Sequence, residues 1–171
     1  MNNMNKAEPF KSLSPAVRHV IIRHQQQSPV DVTGIARELG LAVWELKTLP
    51  AEKSGKIWKD PHGGPSGFSI GLNAREPLSR KRFTLAHEIG HFLLHKGKLE
   101  SGVFEEDTMY RGTGMSSVEE IQANQFAADL LMPMELIHRL IGKGMKGVRD
   151  LAAELQVSEP ALKIRLGFPI V

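Results

Sequence analysis

Between Leu78 and Leu94 apolar residues return at close to a helical period: Leu78, Phe83, Leu85, Ala86, Ile89, Leu93 and Leu94. That stripe predicts a helix buried along one face. Glu76-Pro77 suits its start, since proline early in a helix lacks only an N–H that would have no partner. Gly97, flanked by Lys96 and Lys98, is placed to end it.

Upstream, the spacing predicts a short helix over 16–27 with Val17, Val20 and Ile21 inward. Asp31 to Gly40 reads as a second helix, with Asp31 as cap and Gly40 as stop. Residues 41–46, 54–58 and 67–73 read as extended, and the turn-forming run 59–66 separates the last two. Downstream, 96–117 reads as a loop, and Ser116 to Met132 is strongly helical and closed by Pro133. Shorter helices are predicted at 134–142, Val148–Leu155 and Glu159–Leu166. The expected class is α+β: a small, mainly antiparallel three-stranded sheet packed against helices. A free sheet edge in such a fold can pair with an extended peptide strand.

The central helix carries His87-Glu88-Ile89-Gly90-His91, the H-E-x-x-H spacing. Residues four apart share a helical face with Cβ atoms about 5–6 Å apart. Two imidazoles so placed can grip one Zn²⁺, whose bonds to nitrogen run about 2.0–2.1 Å. Glu88 neighbours the first ligand and is the candidate general base towards a water on the metal.

A catalytic zinc needs a third protein ligand. His95 lies eight residues past His87, about 12 Å along the axis, too far for one ion to be shared with it. It reads as a helix-end histidine able to help in the cleft. The metzincin pattern would place glycine at position 94 and histidine at 97; the chain has Leu94 and Gly97. That leaves a carboxylate from another helix. Glu119 and Glu120 open the helix after the loop, and a capping box can join Ser116 to Glu119 or Ser117 to Glu120. The preferred division caps with Ser116 and Glu119 and frees Glu120, whose face carries Ala123, Asn124 and Ala127. Asn124 is a candidate supporting donor for a ligand. Tyr110 and Arg111, in the loop before that helix, are candidate substrate-binding residues.

Composition narrows the chemistry. The chain has no cysteine, so neither a disulfide framework nor a thiolate metal site is available; any zinc is held by His, Asp or Glu. At 171 residues one domain with one core is expected. No apolar run approaches the roughly 20 residues of a membrane span, and no signal-type hydrophobic stretch opens the chain, so a cytoplasmic location is expected. A net charge of +3 is too small to argue for nucleic acid.

The chain resembles the ImmA/IrrE family of metallopeptidases, also called M78 and formerly DUF955. The resemblance rests on Pro29-Val30-Asp31 with Ile35-Ala36 and Leu39-Gly40, then Arg82 through His91. Glu120-x-x-Ala123-Asn124-x-Phe126-Ala127-Ala128-x-Leu130-Leu131-Met132-Pro133, and Val157-Ser158 with Ala161-Leu162-x-Ile164-Arg165-Leu166, complete it. It implies a zincin-like, gluzincin-type fold; the expected division is that domain over 29–145, the polar, uneven 1–28 as an appendage, and 146–171 as helix-turn-helix-like helices packed on the same domain. It implies His87, His91 and Glu120 as ligands of one zinc and Glu88 as base. The implied substrate is a helix-turn-helix (XRE-type) repressor, cut to relieve repression in a stress-response, mobile-element or toxin–antitoxin-like module. With no room for the C-terminal sensor domain of longer members, regulation by partner association or metal supply is expected.

One rival comes from another class. Asp150 to Leu166 has the cadence of a helix-turn-helix, which reads as a DNA-binding or partner-binding regulator that does not cut. Its second helix offers only Lys163 and Arg165, with Glu159 at its start, which is thin for groove binding.

Overall fold

The computed structural model describes residues 10–101 and 115–169. Its elements are α1 (Pro15–His24), α2 (Val32–Glu38), β1 (Ala42–Leu46), β2 (Gly55–Lys59), β3 (Phe68–Asn73), α3 (Leu78–Leu94), α4 (Lys96–Glu100), α5 (Ser117–Leu131), α6 (Met134–Gly142), α7 (Val148–Leu155) and α8 (Glu159–Arg165). Caps fix the starts of several. The Asp31 carboxylate accepts from the Gly34 N–H, and Ser14, Ser116 and Ser158 do the same for α1, α5 and α8.

The class is α+β, but the sheet is mixed rather than mainly antiparallel. Its order is β1-β3-β2, with β1 parallel and β2 antiparallel to β3. The chain does reverse at each connection, as the turn-rich segments require. The last strand then inserts between the first two, so β1 and β3 become neighbours running the same way. Burial explains the insertion: all six residues of β3 are buried, as a central strand demands, while β1 holds none that are. The polar groups brought inside with β3 find partners. Ser69 donates to Asp60 at 2.6 Å, and the Asn73 amide donates to the Pro50 and Lys53 carbonyls.

β2 is left as a sheet edge, and it runs beside α3. A Cβ on Gly55 would stand 2.5 Å from Thr84 Cγ2, so only glycine lets the strand come so near the helix. On its other side α3 packs against α5. A Cβ on Gly90 already stands 3.0 Å from Phe126 Cδ1 and 3.3 Å from Ala123 Cα. Ala123 and Ala127 are fully buried there, so small side chains on both helices set the close approach.

Gly97 does not end the central helix. The break comes at His95 (φ −126°, ψ 23°), and α4 then runs through Gly97. Ile21 of α1 and Leu151, Leu155 and Leu162 of α7 and α8 all enter the same apolar core as Ile35, Ile70 and Ile89. Among the described residues no helix is long and apolar enough to cross a membrane.

Candidate metal centre

α3 and α5 together build a cluster of His87, His91 and Glu120, whose potential ligand atoms all lie within 4.8 Å of one another. The two Nε2 atoms are 2.9 Å apart. Glu120 reaches them from α5, with Oε2 3.4 Å from His87 Nε2 and Oε1 3.3 Å from His91 Nε2. Glu119 is occupied elsewhere, in the capping box with Ser116 and in an ion pair with Lys98 at 2.7 Å. Those donors hold its carboxyl well below the usual range, with the Lys98 hydrogen bond the largest cause.

Hydrogen bonds on the far side of each ring decide where the ring protons sit. The carbonyl oxygen of Asn124 lies 2.9 Å from His87 Nδ1, so Nδ1 carries the hydrogen and the Nε2 lone pair faces Glu120. For His91 the chain is longer. The Gln122 carbonyl oxygen accepts from His95 Nε2 at 2.9 Å, which leaves His95 Nδ1 as an acceptor. That nitrogen is 3.0 Å from His91 Nδ1, so His91 donates to it and turns its own Nε2 lone pair inward. In those tautomers two imidazole lone pairs and a carboxylate converge on one point. Such a donor set fits a cation; zinc takes two histidines and a glutamate in this way.

Burial acts in the same direction. Burial, then the neighbouring His87 and His95 rings, hold His91 down at about 3, so it stays neutral as a ligand must. Burial likewise lowers His87. Glu88 is 5 % exposed, and its Oε2 has no hydrogen-bond partner among the described residues. Burial, assisted by the nearby Glu120 charge, pushes its carboxyl up to about 8. A carboxyl so placed keeps and exchanges a proton near neutral pH.

Asn124 and His95 thus touch the two histidines directly. Tyr110 and Arg111 lie outside the described residues. Gln122 was not expected from the sequence: it is one polar residue among several on α5, and only the packing of α5 on α3 brings it to His95.

The model of a protein family described as Peptidase M78, IrrE N-terminal-like domain, matches residues 36–167. The radiation response metalloprotease IrrE of Deinococcus radiodurans is 34% identical over 118 residues, covering 67% of this chain and 34% of that protein. Its namesake from Deinococcus deserti is 39% identical over 98 residues, covering 55% of this chain and 34% of that protein. The chain thus spans about a third of the length of these relatives. A solved structure, a Mycobacterium tuberculosis transcriptional regulator, superposes with a TM-score of 0.59 over 88% of this chain and 47% of that one. At 13% identity that likeness concerns the fold alone. With the match extending from 36 to 167 and taking in both helices of the cluster, the chain belongs to the ImmA/IrrE family of M78 peptidases.

Proposed function

We propose that the chain is a zinc-dependent endopeptidase with a zincin-like site, in which His87, His91 and Glu120 hold one zinc and Glu88 handles the proton. The observation that most supports this is the convergence of two imidazole nitrogens and a carboxylate beside a buried carboxyl whose Oε2 has no hydrogen-bond partner among the described residues. When bound, zinc supplies Lewis-acid chemistry, polarising a carbonyl and lowering the pKa of water. Glu88 takes the proton from the attacking water and passes it to the nitrogen of the leaving amine. β2, at the edge of the sheet and beside α3 among the described residues, is the strand along which an extended substrate segment can lie.

The substrate we propose is a cognate helix-turn-helix repressor, as the family resemblance implies, and the setting is stress response. The DNA-binding alternative is weakened by Arg165. Its guanidinium is 2.5 Å from Asp129 and also donates to the Met132 carbonyl, so it serves the packing of α8 on α5. Lys163 then remains as the exposed cation of that helix. The test is incubation of the zinc-loaded protein with a repressor encoded beside it, next to Glu88→Gln. Cleavage by the wild type, with binding but no cleavage by the variant, is expected. Equal cleavage by both, or none by either, contradicts the proposal.

A further inference from the structure

The helix-turn-helix-like corner between α7 and α8 has no task in the chemistry above, yet it closes one side of a cavity of about 350 Å³. Pro77, Arg80 and Phe83 line it from the start of α3, and Val157, Ser158 and Ala161 face them from the corner. We propose that this cavity is the specificity pocket of the peptidase and takes a large apolar side chain of the substrate beside the bond to be cut. The inference rests on the peptidase reading and names the substrate feature which that site selects.

Position is the first argument. On a helix of 3.6 residues per turn, Phe83 stands about 40° from His87 around the axis and about 6 Å before it, and Arg80 about 20° away on the other side. The α3 wall of the cavity is thus the same helical face that presents the metal ligands, one to two turns upstream. A peptide held with its carbonyl at the cluster needs to extend only one side chain along α3 to enter.

Chemistry is the second. Phe83, Pro77, Val157 and Ala161 give the cavity an apolar lining. Two polar residues at its edge are linked through a serine: Arg80 Nε donates to Ser54 Oγ at 3.0 Å, and that hydroxyl donates to Glu76 at 3.3 Å. Arg80 stays exposed at the rim, and the wall from Pro77 and Phe83 to Val157 and Ala161 is apolar. Its volume admits a side chain as large as leucine or phenylalanine with room to spare, and burying such a group on the apolar wall ranks substrates by their side chain.

The corner makes a usable wall because it is held from behind. Val157 and Leu162 are buried in the core, and Arg165 ties α8 to the end of α5. Ala161 is the smallest lining residue on that side, so a larger side chain there reduces the space of the pocket.

The test uses zinc-loaded protein and hydroxamates carrying a methyl, isobutyl or benzyl group beside the chelating end, with affinity read by calorimetry. The wild type is expected to bind the isobutyl or benzyl compound on the order of tenfold or more tighter than the methyl one. Ala161→Trp should bring that ratio close to one while zinc content and methyl-compound affinity stay unchanged; Ala161→Leu, a milder filling, covers the case where tryptophan prevents folding. A ratio near one in the wild type, or a ratio unaltered in a folded filled variant, overturns the pocket. Failure of the peptidase reading shows separately, as zinc-loaded protein with the expected ratio but no turnover of any peptide. A wild type that takes up no zinc overturns both.

Discussion

His95 Nδ1 lies 3.0 Å from His91 Nδ1, and its other ring nitrogen is 2.9 Å from the Gln122 carbonyl oxygen. The metal-facing nitrogen of His91 therefore has its lone pair fixed by a glutamine two bonds removed from it. Loss of such supporting partners typically costs 10–100-fold in metal affinity. His95→Ala is expected to weaken zinc binding by about that factor, measured by competition against a chromophoric chelator. Gln122→Ala should act in the same direction and more weakly, because His95 then chooses its tautomer freely. Since the two act in series, the double variant should bind zinc no worse than His95→Ala alone. Additive losses would contradict the relay.

Gly90 sets the distance between α3 and α5. Adding a methyl group there brings Cβ to 3.0 Å from Phe126 and 3.3 Å from Ala123, tighter than ordinary packing allows. Gly90→Ala should cost about 1–3 kcal/mol in denaturant unfolding, the usual range for overpacking, despite alanine's better helix propensity. Zinc affinity should fall with it, because the same displacement carries Glu120 away from the histidines. A variant as stable as the wild type would show that the helices adjust without cost.

Glu88 and His91 make opposite pH signatures in the metal-free protein. Burial raises Glu88 from 4.5 to about 8, so folding favours its protonated form. Its contribution is fully present below pH 4.5 and is lost as pH rises through about 8. His91 is lowered from 6.5 to about 3, so its contribution is present above 6.5 and lost as pH falls towards 3. Between 4.5 and 6.5 the two slopes oppose each other. Glu88→Gln removes only the first. Stability of the metal-free wild type relative to this variant should therefore decline from pH 4.5 to 8, read by urea unfolding at stepped pH. Parallel curves would contradict the burial of this carboxyl.

Ser116 caps the helix that delivers Glu120, and Glu119 completes the reciprocal cap. Ser116→Ala is expected to cost about 1 kcal/mol of stability, the usual loss for an N-cap serine. Glu119→Gln should lose less, since its partners Lys98 and the Ser116 N–H lie at the surface. A calorimetric scan of both variants tests the order.

Much of this was legible in the sequence because it is local. The capping box at Ser116, the i, i+4 pair His87 and His91, the start of α3 and the extents of α5, α6 and α7 all follow from spacings within one turn or one helix. What depended on distant packing was not. β3 inserts between β1 and β2 because a strand buried at every position belongs in the centre, and that order leaves no periodic trace. Gly97 looked like a helix stop, but the break falls at His95, whose ring is held by His91 and by Gln122 from another helix. Gln122 itself has no signature beyond being polar on α5.

The central claim is that the His87, His91 and Glu120 cluster is a metal site. The most direct measurement is metal content of the purified protein beside His91→Ala and Glu120→Ala, after equilibration with zinc at neutral pH and removal of the excess. About one zinc per chain in the wild type, lost or greatly weakened in both folded variants, is expected for a site with three protein ligands. A wild type that retains no zinc, or variants that retain as much as the wild type, would contradict the account.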